Sequence, residues 1–240
     1  LDSVSEIKVF YQSVNPYEIS SMDLSGGITY PDSSFNINLL DNQINLVGDK
    51  NTFYDTTFVW AQKVNTSNPA EGDIIAGPFY ILPYLIPYNK NIDLKIKINK
   101  IHSTNNLGIY SYNQKKHTWH FYPSVLSLDS NYISTSISSG EIFAVINEKN
   151  PPILSNFIPH IGATYYSNDL KVISFIVKDT FSGIDGESDI IVKIDNKPVI
   201  FEYNSYQNKV RYPLKYNLDK GKHSLFIQAY DKIGNKSIIK

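Results

Sequence analysis

The chain contains no cysteine, which removes disulfides, thiolate zinc sites and thiol nucleophiles together. No apolar run comes near the ~18 to 20 residues of a membrane-spanning helix. The first residues, Leu1, Asp2, Ser3, Val4 and Ser5, lack the basic and apolar regions of a signal peptide. A start at Leu1 reads as that of a mature product or a fragment. Excess charge is missing as well: 22 Lys and Arg against 23 Asp and Glu leave a net charge of −1. No broad field therefore draws in nucleic acid or an anionic membrane, and neither is expected as a partner. No stretch sustains a 3.6-residue apolar period, and Gly-x-Gly-x-x-Gly, Walker and Gly-x-Ser-x-Gly patterns are all missing. Nucleotide chemistry and serine hydrolysis are set aside on that ground.

What is present is a β composition, with 13% aromatic residues, 18 of them Tyr, and a single Met. Apolar residues alternate with polar ones at 35, 37 and 39, and most cleanly at Ile92, Leu94, Ile96 and Ile98 against Asp93, Lys95, Lys97 and Asn99. That two-residue period belongs to a strand with one face in a core and one in water. Residues 56–64 carry Phe58 and Trp60 on one face. Three prolines between Gly77 and Tyr88 predict an extended or edge conformation, because each lacks a backbone donor. Residues 107–112 and 118–122 predict a hairpin carrying Trp119 as a core residue. Residues 132–137 and 141–146 predict a second pair around Ser138, Ser139 and Gly140.

Asn150, Pro151 and Pro152 stiffen the chain where the pattern restarts, and mark the domain boundary. Seven short strands in the following 90 or so residues match an immunoglobulin-like sandwich. The expected fold is thus all-β, two tandem β-sandwiches of which the second is Ig-like. The domains run over residues 22–149 and 150–240, and residues 1–21 form a leading strand or the tail of a preceding domain.

The second domain resembles the bacterial Ig-like modules of secreted and cell-surface proteins. The residues that carry the likeness are Asp179, Ser182-Gly183-Ile184-Asp185, Lys193-Ile194-Asp195-Asn196-Lys197, Gly221-Lys222-His223, Ala229-Tyr230-Asp231 and Gly234-Asn235. Where those modules usually have Gly this chain has Asn196, and Asn also visits positive φ. Leu107-Gly108-Ile109-Tyr110, Trp119 and Ile142-Phe143-Ala144-Val145-Ile146 resemble the sandwich module shared by ankyrins and netrin receptors, over about residues 22–147. The tandem is similar to the C-terminal region of secreted bacterial lysostaphin-like zinc endopeptidases. That likeness implies a non-catalytic accessory or docking region of a secreted or cell-surface bacterial protein, with catalysis in a preceding domain. The implied location is extracellular, cell-surface or periplasmic. The implied partner is the upstream domain or another surface protein, with cell-wall glycan or peptide in second place. The alternative is a stand-alone adhesin or glycan-binding module.

The peptidase's zinc chemistry needs His and Asp four apart plus His-x-His on one strand face. His117 and His120 are three apart and point to opposite faces of a strand, while His102, His160 and His223 stand alone. No catalytic residue is assigned. Calcium is the one ion with suitable hard-oxygen ligands, from Asp179, Asp185 and Asp231, with Glu187 and Asp189 nearby. The competing role, which this reading favours, is that Asp179 and Asp231 cap turns. Tyr84 and Tyr88, flanked by prolines, are the candidates for stacking on a sugar, with burial as their alternative role.

Overall fold

Ile92, Leu94 and Ile96 are fully buried and their neighbours Asp93, Lys95 and Lys97 are exposed, so the cleanest alternation in the sequence does what a half-buried strand requires. The computed structural model describes residues 25–84, 86–98, 106–127, 131–166 and 169–240. The leading strand expected in residues 1–21, and His102, lie outside these. Among the described residues eleven strands precede the double proline. They are β1 (Ser25–Thr29), β2 (Phe35–Leu39), β3 (Ile44–Gly48), β4 (Thr57–Lys63), β5 (Gly72–Leu82), β6 (Pro87–Lys97), β7 (Leu107–Asn113), β8 (Thr118–Tyr122), β9 (Val125–Ser127), β10 (Tyr132–Ser139) and β11 (Ile142–Glu148). One sheet has the order β1-β4-β5-β11-β7-β8, the other β2-β3-β6-β10-β9, and every strand pairing is antiparallel. Leu39, Ile44, Leu46, Ile92 and Leu94 from the second sheet meet Val59, Phe79, Ile109 and Phe143 from the first in one buried cluster. The all-β reading and a sandwich of two sheets both hold.

One local expectation is met in its extended form and one is corrected. The proline-rich stretch is extended, as expected, but β5 is an interior strand between β4 and β11. The ladder to β11 shifts register between Phe143 and Val145, opposite Gly77 and Pro78, and Pro78 is tolerated at that bulge because no ladder donor is needed there. Residues 132–137 and 141–146 do not form a hairpin: β10 lies in one sheet and β11 in the other. The chain changes layers at Gly140, which bridges Tyr84 and sits against the backbone carbonyls of Pro83 and Ile81.

The second unit has β12 (Ile153–Ile158), β13 (Val172–Lys178), β14 (Ile190–Ile194), β15 (Lys197–Pro198), β16 (Glu202–Asn204), β17 (Lys209–Pro213), β18 (Leu225–Tyr230) and β19 (Lys236–Ile239). Its sheets run β12-β13-β17-β16 and β15-β14-β18-β19. With the strands lettered in chain order, these are A-B-E-D and C′-C-F-G, the strand order of an immunoglobulin-type sandwich. Phe175, Val177 and Val210 of one sheet close on Ile190, Val192 and Ile227 of the other. Asp195 and Asn196 both have positive φ (49° and 64°), the conformation a two-residue hairpin turn needs, and Asn is among the residues that adopt it readily.

The outer face of the first sandwich is not bare. Tyr110, Trp119, Ala144 and Ile146 point away from its core and form a cluster of their own, with Phe181 of the second unit packed against it. The parity is that of the strands: Ile109 faces the main core and Tyr110 the outer side. Trp119 is buried, as expected, but in this outer cluster, against Tyr112 at a centroid distance of 4.9 Å.

Candidate functional site

The site is assembled where the first sandwich ends and the second begins. On β11, Ala144, Ile146 and Glu148 share the outer face, so the strand's last residue directs a carboxylate into the cover provided by the second unit. Glu148 is 1% exposed. Its Oε2 accepts a hydrogen bond from the Tyr110 hydroxyl at 2.8 Å. Among the described residues its Oε1 has no hydrogen-bond donor, and the similarly buried Ser182 hydroxyl has no partner.

Two turns of the second unit bring Asp179 and Asp231 to the same place. Asp179 Oδ1 accepts from the backbone N–H groups of Phe181 (2.9 Å) and Gly183 (2.7 Å). Asp231 Oδ1 accepts from those of Ile233 (3.1 Å) and Asn235 (2.8 Å), and its Oδ2 accepts from Asn235 Nδ2 at 2.8 Å. Each Asp thus bonds the N–H groups two and four residues ahead, and Gly183 and Gly234 supply the positive φ of 86° and 96° that closes the turns. The turn-capping role foreseen for these two residues is present. The turns are also tied to each other, since Lys232 N–H donates to the Gly183 carbonyl at 2.9 Å.

The capping does not use up the carboxylates. One oxygen from each of Glu148, Asp179 and Asp231 lies within 4.8 Å of the others, and among the described residues no Lys, Arg or His forms an ion pair with any of the three. At that separation two unit charges repel by roughly 3 kcal/mol for an effective dielectric of 20. Burial pushes the Glu148 carboxyl up to about 7, with Asp179 and Asp231 adding to the rise, while the Tyr110 hydrogen bond and the polarity of the Ser182 hydroxyl beside it oppose it. Asp231 is also raised, chiefly by burial, against the pull of its bonds to Asn235 and Ile233. Burial first, and Glu148 second, push the Tyr110 hydroxyl up, so it stays a donor.

Further contacts join the units. Phe181 stacks on Tyr110 at 4.4 Å with 24° between the rings. Asn106 Nδ2 donates to Asn235 Oδ1, and within the second unit the Ser237 hydroxyl holds the linker end by donating to the Pro152 carbonyl. A cleft of about 610 Å³ opens beside the linker, with Glu148, Asp179, Pro152 and Phe181 in its walls.

The other sequence candidates fall elsewhere. Asp185 is not in the carboxylate cluster: its side chain is 77% exposed and 3.9 Å from Lys232 Nζ. Glu148, which the motifs did not single out, stands in its place. The available signal was a Glu on the same strand face as Ala144 and Ile146, but the sequence does not say what covers that face. Tyr88 belongs to the core, 8% exposed and edge-on to Phe53 at 5.1 Å, so it presents no ring face to a sugar. Tyr84 is half-buried and packs edge-on against Tyr80 at 4.9 Å.

Among the described residues the histidines do not converge. His117 lies in the β7–β8 turn 3.0 Å from the Tyr112 hydroxyl, and His120 on the exposed side of β8 contacts Thr118. His223 holds the Asp219 carbonyl and Asp195 Oδ2 at 2.8 and 2.7 Å. Those two bonds, the carbonyl first, raise its pKa above the usual 6.5, and the bond with His223 is the main cause that lowers Asp195. A raised His contributes stability that is full below about 6.5 and lost as pH rises through the folded value. The pair is solvent-exposed, so the effect on stability is small. An NMR titration is expected to show His223 above 6.5 and Asp195→Ala to bring it back towards 6.5; an unmoved titration would assign the rise to other groups.

No protein-family profile matches the chain, and no curated protein sequence matches it either.

Proposed function

We propose that this chain is a non-catalytic accessory tandem of a secreted or cell-surface bacterial protein, which positions a partner domain, in first place a zinc endopeptidase domain preceding it in the same protein. The observation that carries this reading is the junction. A linker of four residues between Glu148 and Ile153, two of them proline, is backed by the Tyr110–Phe181 stack and the Tyr110–Glu148 bond. Contacts of that kind turn two modules into one spacer with a set direction, which suits a positioning role better than independent modules on a flexible linker do. The motifs at 179–185 and 229–235 and the A-B-E-D, C′-C-F-G strand order support the Ig-like likeness. The association with a peptidase rests on the sequence likeness of the tandem.

A second reading, a glycan-binding or adhesive module, is favoured by the Tyr80–Tyr84 ring pair, both rings partly exposed. One set of assays separates the two. The purified chain is incubated with peptidoglycan and peptide substrates, with and without zinc, and sedimented with insoluble peptidoglycan. The accessory reading expects no hydrolysis and no retention. Turnover by this chain alone would overturn it, and retention abolished by Tyr84→Ala would replace it with the adhesive reading.

A further inference from the structure

We propose that Glu148, Asp179 and Asp231 form a calcium site that joins the two sandwiches. The cluster does not stand on its acidity alone. Glu148 is 1% exposed, and its Oε1 is left without a donor although its Oε2 is bonded to Tyr110. Ser182, 3% exposed, leaves its hydroxyl oxygen without a partner in the turn that Asp179 caps. Buried polar oxygens are nearly always satisfied, and an oxygen-rich pocket of net negative charge is satisfied by a hard cation.

The spacing admits calcium. Calcium–oxygen distances of about 2.3–2.6 Å allow two ligands of one ion to stand up to about 5 Å apart, whereas magnesium at about 2.0–2.1 Å allows only about 4.2 Å. The three carboxylate oxygens lie within 4.8 Å of one another, inside the span calcium allows, and calcium's larger, adaptable shell of oxygen ligands suits a set of carboxylates better than magnesium's strict octahedron. The ligands are also prearranged. The backbone bonds to Asp179 Oδ1 and Asp231 Oδ1 hold both carboxylates in fixed turns, and the Tyr110 hydroxyl orients Glu148. Because Glu148 belongs to the first sandwich and the two Asp residues to the second, an ion bound to all three would couple its binding to the docking of the units. The cleft beside the linker, walled in part by Glu148 and Asp179, gives it a way in. The site stands independently of the accessory role: a chain with either proposed function can carry it.

The test is a calcium titration of the full chain after chelation, by calorimetry and by thermal unfolding, with magnesium in parallel. One equivalent of calcium is expected to bind and to raise Tm with concentration, and magnesium to act at least about tenfold more weakly. Glu148→Gln keeps the shape, lowers the local charge and is expected to raise Tm in chelator while weakening calcium binding about tenfold or more. Asp185→Asn is expected to bind calcium as the wild type does. A lack of heat and of any Tm change at millimolar calcium, or unchanged binding by Glu148→Gln, would overturn the site. So would loss of binding in Asp185→Asn, which would return the ion to a different ligand set.

Discussion

Tyr110→Ala is expected to destabilise the protein by about 4 kcal/mol and to resolve its thermal unfolding into two transitions. The ring is fully buried and held between Phe121, edge-on at 5.4 Å, and Phe181, stacked at 4.4 Å. Truncation removes the apolar contacts and leaves a cavity, which for a large aromatic costs about 3–5 kcal/mol. It also strips Glu148 of its single hydrogen-bond donor. For a chain of this size that corresponds to a fall in Tm of about 10 °C. The two transitions follow from position, since the ring is the main apolar contact between the outer face of the first sandwich and the turn of the second. Tyr110→Phe separates the effects: it keeps the stack, loses the hydroxyl, and is expected to cost about 1.5–3 kcal/mol. Scanning calorimetry decides the matter, and a Tm within a degree of the wild type in Tyr110→Ala would mean that the junction does not couple the units.

Gly140→Ala is expected to cost about 3 kcal/mol, within the upper part of what overpacking does. An added methyl group at this position overlaps the carbonyl oxygens of Pro83 and Ile81, which belong to the main chain and cannot turn aside as a side chain would. The strand end must move, and with it the bond from Ile81 N–H to the Glu141 carbonyl and the Tyr84 bridge. Gly186→Ala is the control: its backbone is extended and nothing lies within 4 Å of an added Cβ, so a change within about 0.5 kcal/mol is expected. Denaturant unfolding of both variants tests the assignment. Equal midpoints for the two would show that the layer change at Gly140 has room to spare.

Gly140 also shows where reading a sequence stops. Two apolar runs separated by Ser138, Ser139 and Gly140 carry the pattern of a hairpin, because turn residues look the same whether the next strand pairs with the last one or crosses to the opposite sheet. What decides is the neighbours that each strand finds: β6 and β9 for β10, and β5 with β7 for β11. Pro78 illustrates the converse. Its missing donor argues for an edge, and a bulge in its own strand, where Gly77 and Pro78 stand opposite Ala144 alone, lets it sit inside the sheet instead. Tyr84 and Tyr88 were indistinguishable by local composition, and packing separated them into a half-buried ring and a core ring.

The carboxylate cluster divides in the same way. Asp179 and Asp231 were legible because each opens a turn whose Gly or Asn lies at a fixed offset, and short-range hydrogen bonding follows from short-range sequence. Asp185 shares that loop, yet its carboxylate faces solvent beside Lys232, and Glu148 reaches the cluster from a strand more than thirty residues earlier in the sequence. Such a contact depends on how one sandwich rests on another, which no local pattern encodes.

By itself the sequence determined that this is an all-β protein, that its cores lie under the alternating residues of strands such as β6 and β13, that the strand pattern restarts after the double proline, and that two Asp residues cap turns. Each of these follows from side-chain parity, backbone donors or turn chemistry within a few residues. The tertiary structure alone decided which sheet each strand joins, which tyrosines are covered, and that Glu148 meets Asp179 and Asp231 across the junction, because those depend on the packing of faces far apart in the chain.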